Sequence, residues 1–181
     1  MVALSLRIAA FAALMFALPA FAQSEARPSE VQIKAAFLYK FGEFVQWPPA
    51  AFGRAGAPFT IGVLGAEELA SVLEQLVVDR TVQGRPIVVR RLRRGESLAG
   101  LHVLFIGQAE TPRLAETLAA ARSYSVLTVT EAENALASGA MINFVADDSR
   151  VRFDVALPSA ERGQLKISSR LLAVARRVIT S

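Results

Sequence analysis

Phe59-Thr60-Ile61-Gly62-Val63-Leu64-Gly65, followed by Glu67 to Val77, sets the architecture of this chain. The first six residues are a short, almost wholly apolar run closed by a glycine. That pattern suits a strand covered on both faces better than one with a solvated side. Leu69, Val72, Leu73 and Leu76 then recur at helical spacing, so the strand feeds a helix. Similar runs follow at Ile87 to Leu92, Leu101 to Ile106 and Ser125 to Val129. Pro112 opens a helix that reaches about Arg122, with Leu114 and Leu118 inward. Strands alternating with helices predict a mainly parallel sheet, because crossover helices must bury the faces they pack on.

Downstream, Asn134 to Ser138 reads as a short helix ended by Gly139. Met141 to Ala146 and Val151 to Val155 flank Asp147-Asp148-Ser149-Arg150 and predict an antiparallel hairpin at the sheet edge. A last helix is expected from about Ser168 to Val178. The whole is an α/β three-layer sandwich: a mainly parallel sheet of about six strands, an antiparallel edge hairpin, and helices on both faces.

Upstream, Ser29 with Gln32 forms a capping-box signature, and a helix is expected from about Glu30 to Gln46. Pro48 and Pro49 stop it, since neither can donate a backbone hydrogen bond. Val31, Ala35, Leu38, Phe41 and Val45 make one apolar stripe, and Ile33, Phe37 and Phe44 widen it to roughly 200° of arc. Such a helix is either sandwiched inside the domain or carries a second strip for a partner. Tyr39 and Trp47 fall on its more polar side, where amphipathic aromatics suit an interface or a small-molecule pocket. Phe37, Tyr39, Phe41, Phe44 and Trp47 are therefore candidates for a dimer or ligand surface.

The first 22 residues read as a signal peptide: Arg7, an apolar run from Ile8 to Phe16, Pro19, and the small-residue site Ala20-Phe21-Ala22. The run is short of the roughly 20 residues a spanning helix needs. Cleavage near Ala22 delivers a mature chain, residues 23–181, that is exported and not itself membrane-spanning. That length suits one domain, within the roughly 100 to 200 residues usual for one. There is no cysteine, which excludes thiol catalysis and thiol metal sites. The net charge of +4, one unit less without Arg7, gives little support to a nucleic-acid partner.

The chemistry of catalysis finds little to work with. His102 is the single histidine and stands at the entrance of an apolar strand, where a backbone-bonded ring is the simpler reading. Gly95-Glu96-Ser97-Leu98-Ala99-Gly100 is one residue too long for a nucleophile elbow. Zinc needs several Cys or His ligands, and Asp147 with Asp148 reads as a solvated turn. Gly65-Ala66-Glu67-Glu68 puts two carboxylates in a helix's first turn, which repel phosphate. No catalytic, cofactor or metal residue is nominated. Arg90, Arg91, Arg93 and Arg94 read first as a solvated strand end, and otherwise as a contact for anionic lipid or an acidic protein surface.

Several segments carry a resemblance. Lys34-Ala35-Ala36-Phe37-Leu38-Tyr39-Lys40-Phe41 with Phe44-Val45-Gln46-Trp47-Pro48 resembles the opening helix of the YfiR family of periplasmic proteins. Val63-Leu64-Gly65, Gly84-Arg85-Pro86-Ile87, Val103-Leu104-Phe105-Ile106, Gly139-Ala140-Met141-Ile142-Asn143-Phe144, Val151-Arg152-Phe153-Asp154 and Leu165-Lys166-Ile167-Ser168-Ser169-Arg170-Leu171-Leu172 follow in the same order. The resemblance implies a periplasmic regulator, not an enzyme. It would bind the periplasmic sensory part of an inner-membrane diguanylate cyclase and hold it inactive, lowering cyclic di-GMP and biofilm formation. It further implies a homodimer, no cofactor, and a partner contact that includes Ile142, Asp154 and Ala160. Members with disulfides differ from this cysteine-free chain. The competing expectation is a periplasmic small-ligand binding or sensor subunit of a kinase or transport system, with its pocket near Tyr39 and Trp47.

Overall fold

The computed structural model describes residues 28–54, 56–148 and 150–181; the expected signal peptide lies outside them. In chain order the elements are α1 (Glu30–Phe44), β1 (Val45–Gln46), β2 (Phe59–Leu64), α2 (Glu67–Leu76), β3 (Thr81–Val82), β4 (Arg85–Leu92) and β5 (Val103–Ile106). They continue as α3 (Leu114–Ala121), β6 (Leu127–Thr130), β7 (Ile142–Asp147), β8 (Arg150–Ala156), α4 (Leu157–Arg162), β9 (Lys166–Ile167), α5 (Ser169–Val174) and β10 (Arg177–Ile179).

One eight-stranded sheet runs in the order β10-β8-β7-β6-β5-β2-β4-β3, and β1 pairs with β9 separately. Strands β4, β2, β5, β6 and β7 are mutually parallel, while β8 turns back antiparallel to β7. Every residue of β2, β5 and β6 is buried, as two-sided cover requires. On one face, Phe37 and Phe41 of α1 meet Phe144 and Phe153, with ring centroids 5.2 to 6.0 Å apart. On the other, Leu64, Leu104 and Ile106 pack with Leu114 and Leu118 of α3. The expected three-layer α/β sandwich is the fold observed, with more strands than the six counted from apolar runs.

Helix α1 begins as its sequence dictates. Ser29 Oγ accepts from Gln32 N at 3.2 Å and Gln32 Oε1 accepts from Ser29 N at 2.8 Å. It ends at Phe44, two residues before the expected limit, because Val45 and Gln46 extend to pair with Ile167 and Lys166.

Two expected helices are corrected. Residues 132–139 fold as bends and turns, with Asn134 in the left-handed region at φ 54°. The last helix stops at Val174; Ala175 is extended, Arg176 N donates to Phe153 O at 2.8 Å, and β10 pairs in parallel with β8. The hairpin is therefore one strand in from the edge. A parallel partner can reach β8 only by a crossover, and the segment containing α4, β9 and α5 supplies it.

Candidate functional site

Strand register assembles a row of polar side chains across four neighbouring strands. Thr130 lies opposite Asn143, Asn143 opposite Asp154, and Asp154 opposite Arg177. Side chains alternate along a strand, so these four point away from the face on which Phe144 and Phe153 meet α1. Thr130 Oγ1 donates to Asn143 Oδ1 at 2.5 Å. Asp154 accepts from Arg176 Nε at 2.8 Å and Nη2 at 2.6 Å, and from Arg177 Nη2 at 2.9 Å. The Arg176 contact is bidentate, the geometry a planar guanidinium is built for.

Asp154 has a side chain only 2% exposed, beneath arginines that are 38% and 61% exposed. Burial works to raise its carboxyl, but the Arg176 hydrogen bonds and the two positive charges outweigh that and hold it below the usual value of 3.8. The same carboxylate keeps the Arg176 guanidinium above its ordinary range. The surface here presents cations, while the anion acts from underneath. Beside them opens a cavity of about 560 Å3, lined also by Glu133, Ser159 and Arg162.

Ile142, Asp154 and Ala160, the residues expected at a partner contact, do not share a surface. Ile142 is fully buried opposite Val155, Asp154 is covered by its arginines, and Ala160 is fully buried in α4. Arg176, Arg177 and Asn143 were missed in the sequence. The available signal was the arginine doublet beside Val178, two cations next to an apolar residue and in need of an acid.

The aromatics expected at a dimer or ligand surface along α1 lie largely within the domain. Phe41, Tyr39 and Trp47 are buried at 0%, 8% and 7% exposure, and Phe37 and Phe44 pack against the same core. The wide apolar arc is taken up within the domain, by the sheet on one side and by α2 and α5 on others. Trp47 stacks edge-on to Phe59 and bonds to His102 O, which ties its ring into the core.

His102 has the backbone partner its position suggested: Nδ1 accepts from Thr60 N at 3.0 Å. The ring stacks on Phe52 and Phe59. Burial, with the Arg85 charge adding to it, lowers its pKa to about 4. The arginine cluster is mostly occupied: Arg91 holds Glu67 and Glu74, Arg94 holds Glu110, and Arg90 donates to the carbonyls of Ser97 and Ala99. Among the described residues, no group of three or more His, Asp or Glu side chains could hold a metal ion, and no helix is long and apolar enough to cross a membrane.

Fold and site together define a three-layer α/β domain with a charged cavity on one sheet face. The chain belongs to the YfiR/HmsC-like family (DUF4154), whose model matches residues 31–176. Members of that family are periplasmic regulatory proteins rather than catalysts. Two solved structures share the fold. A conserved domain protein from Vibrio cholerae O1 biovar El Tor aligns with TM-score 0.57 at 13% identity, over 83% of this chain and 60% of that one. An ABC domain from Streptococcus pneumonia, in complex with L-Trp, aligns with TM-score 0.53 at 13% identity, over 82% of this chain and 60% of that one. The chain thus spans about 60% of the length of either structure. No curated protein sequence matches it.

Proposed function

We propose that this protein is exported to the periplasm and there inhibits an inner-membrane diguanylate cyclase by binding its periplasmic sensory part. The family supports this reading, since its members are associated with regulating such cyclases. The observation that carries it into this chain is the pair Arg176 and Arg177, exposed where the sheet-edge strand β10 begins and fixed from below by Asp154. Two cations held in one geometry orient an incoming acidic surface and lose little freedom on binding. Asp154 then acts as a positioning residue, and Ile142 and Ala160 support the strand and helix around it.

Inhibition by contact needs differential affinity, so the inactive conformation of the cyclase must be bound more tightly than the active one. The test is capture of the mature protein with its cyclase from solubilised inner membranes, together with cellular cyclic di-GMP. Wild type should retain the cyclase, and Arg176→Glu with Arg177→Glu should release it and raise the nucleotide as far as deletion does. Retention by the charge-reversed protein, or unchanged cyclic di-GMP on deletion in cells that hold the cyclase, overturns the proposal.

A further inference from the structure

Behind helix α4 lies a second cavity, of about 570 Å3, that shares only Ser159 and Arg162 with the one beside Asp154. Its polar lining supplies donors. Arg122 and Arg162 stand at its rim, both exposed and neither within salt-bridge distance of a carboxylate among the described residues. Arg162 Nη2 donates to Ser159 Oγ at 3.1 Å. At the floor are two hydroxyls, Thr128 at 2% exposure and Ser159 at 6%. Thr128 Oγ1 is used as an acceptor, for Met141 N at 3.1 Å, and Ser159 Oγ likewise for Arg162. Neither O–H has an acceptor among the described residues, so each is available to donate to a ligand.

The remaining walls are apolar, from Leu118, Ala121 and Met141, with the Tyr124 ring at the mouth. No carboxylate among the described residues lines the space. Two guanidiniums and two buried hydroxyls set among hydrocarbon walls complement a molecule with an anionic head and an apolar body. An amino acid fits poorly, because its ammonium would find no acidic partner and would face two arginines. The geometry points to a binding site for a small organic carboxylate that has a branched or aromatic hydrocarbon body and no amino group. The site stands whether or not the chain engages a cyclase.

Three probes separate the elements of this recognition. 3-Phenylpropanoate carries the head and the body, phenylalanine adds the ammonium, and inorganic phosphate keeps an anion without hydrocarbon. Calorimetric titration of the mature protein should show 3-phenylpropanoate binding about tenfold or more tightly than either of the others. Arg122→Gln and Arg162→Gln should each weaken it by about tenfold, as loss of a charge-assisted contact does. Both arginines are exposed, so the variants keep the fold, which circular dichroism checks. Amide NMR shifts should centre on Thr128, Met141 and Ser159. Four results would each overturn the inference: no binding of 3-phenylpropanoate at millimolar concentration, phosphate binding as tightly, phenylalanine binding as tightly, or affinity unchanged in both arginine variants.

Discussion

Trp47 Nε1 donates to the main-chain carbonyl of His102 at 3.0 Å, and that same carbonyl accepts from Leu127 N at 2.8 Å. The segment leaving α1 is thereby pinned to the junction of β5 and β6. Trp47 is the single tryptophan and only 7% exposed, so its fluorescence reports the integrity of this junction. Native emission should be blue-shifted and should move red in one cooperative step with urea. Trp47→Phe should cost about 2 kcal/mol, mostly from lost volume, because Leu127 still satisfies the carbonyl. A native spectrum typical of water-exposed indole would contradict the burial.

His102 predicts a specific acid sensitivity. Its folded pKa of about 4 lies below the ordinary 6.5, so the folded ring stays neutral where the unfolded ring takes up a proton. Its contribution is complete above pH 6.5 and is lost as pH falls from there toward 4. The full loss is about 3 kcal/mol. Urea midpoints should fall over that window in the wild type. In His102→Asn the fall should be smaller by that amount, although the variant starts from a lower value at pH 7. Arg85 is the charge that adds to the shift, so Arg85→Gln should raise the folded pKa and make the loss smaller, ending at higher pH.

Asp154 adds a second loss of stability in acid, of the same sign but at lower pH. Its carboxyl is held below 3.8, so its stabilisation is present above that value and disappears as pH drops through the folded pKa. Asp154→Asn should cost about 2 kcal/mol at pH 7, the worth of a hydrogen bond to a charged group, measured by urea unfolding. Replacing both Arg176 and Arg177 with Gln leaves burial unopposed. The Asp154 carboxyl, followed by carbon NMR, should then titrate above its ordinary value instead of below it.

Gly107 sits where β5 ends, and a Cβ there would strike the backbone of Gly65 and its carbonyl oxygen. Gly65 itself has φ 71°, a conformation other residues adopt only with strain. Backbone cannot swing aside as a side chain can. Gly107→Ala should therefore destabilise by about 2 kcal/mol or more, read as a lowered thermal midpoint. At Gly163 the obstacle is the Met141 methyl, a flexible end, so Gly163→Ala should cost less.

Much of the fold was legible because its signals are local. Ser29 with Gln32 marks the start of α1, Pro48 and Pro49 forbid its continuation, and Phe59 to Leu64 carries the apolar density of a two-sided strand. The α5 to β10 stretch misled for the same reason. Leu171, Leu172, Val174, Ala175 and Val178 keep helical spacing, yet Arg177 to Ile179 are claimed by pairing with residues 154–156. Nothing local announces such a distant partner. The candidate site was hidden likewise: Asp154 and its arginines are 22 and 23 positions apart, a separation with no helical or strand period. The α1 aromatics showed an excess of apolar arc, but only tertiary packing tells how many neighbours absorb it.

The placement of β10 also affects which chains survive. A polypeptide cut short before Arg176 would leave β8 with a bare rim and would enclose the Asp154 carboxylate with no counter-ion. Such a product is penalised both by desolvation and by an edge open to sticking, so it invites proteolysis or aggregation. Strand β10 and the arginine doublet thus shield the β8 rim and neutralise the enclosed carboxylate together.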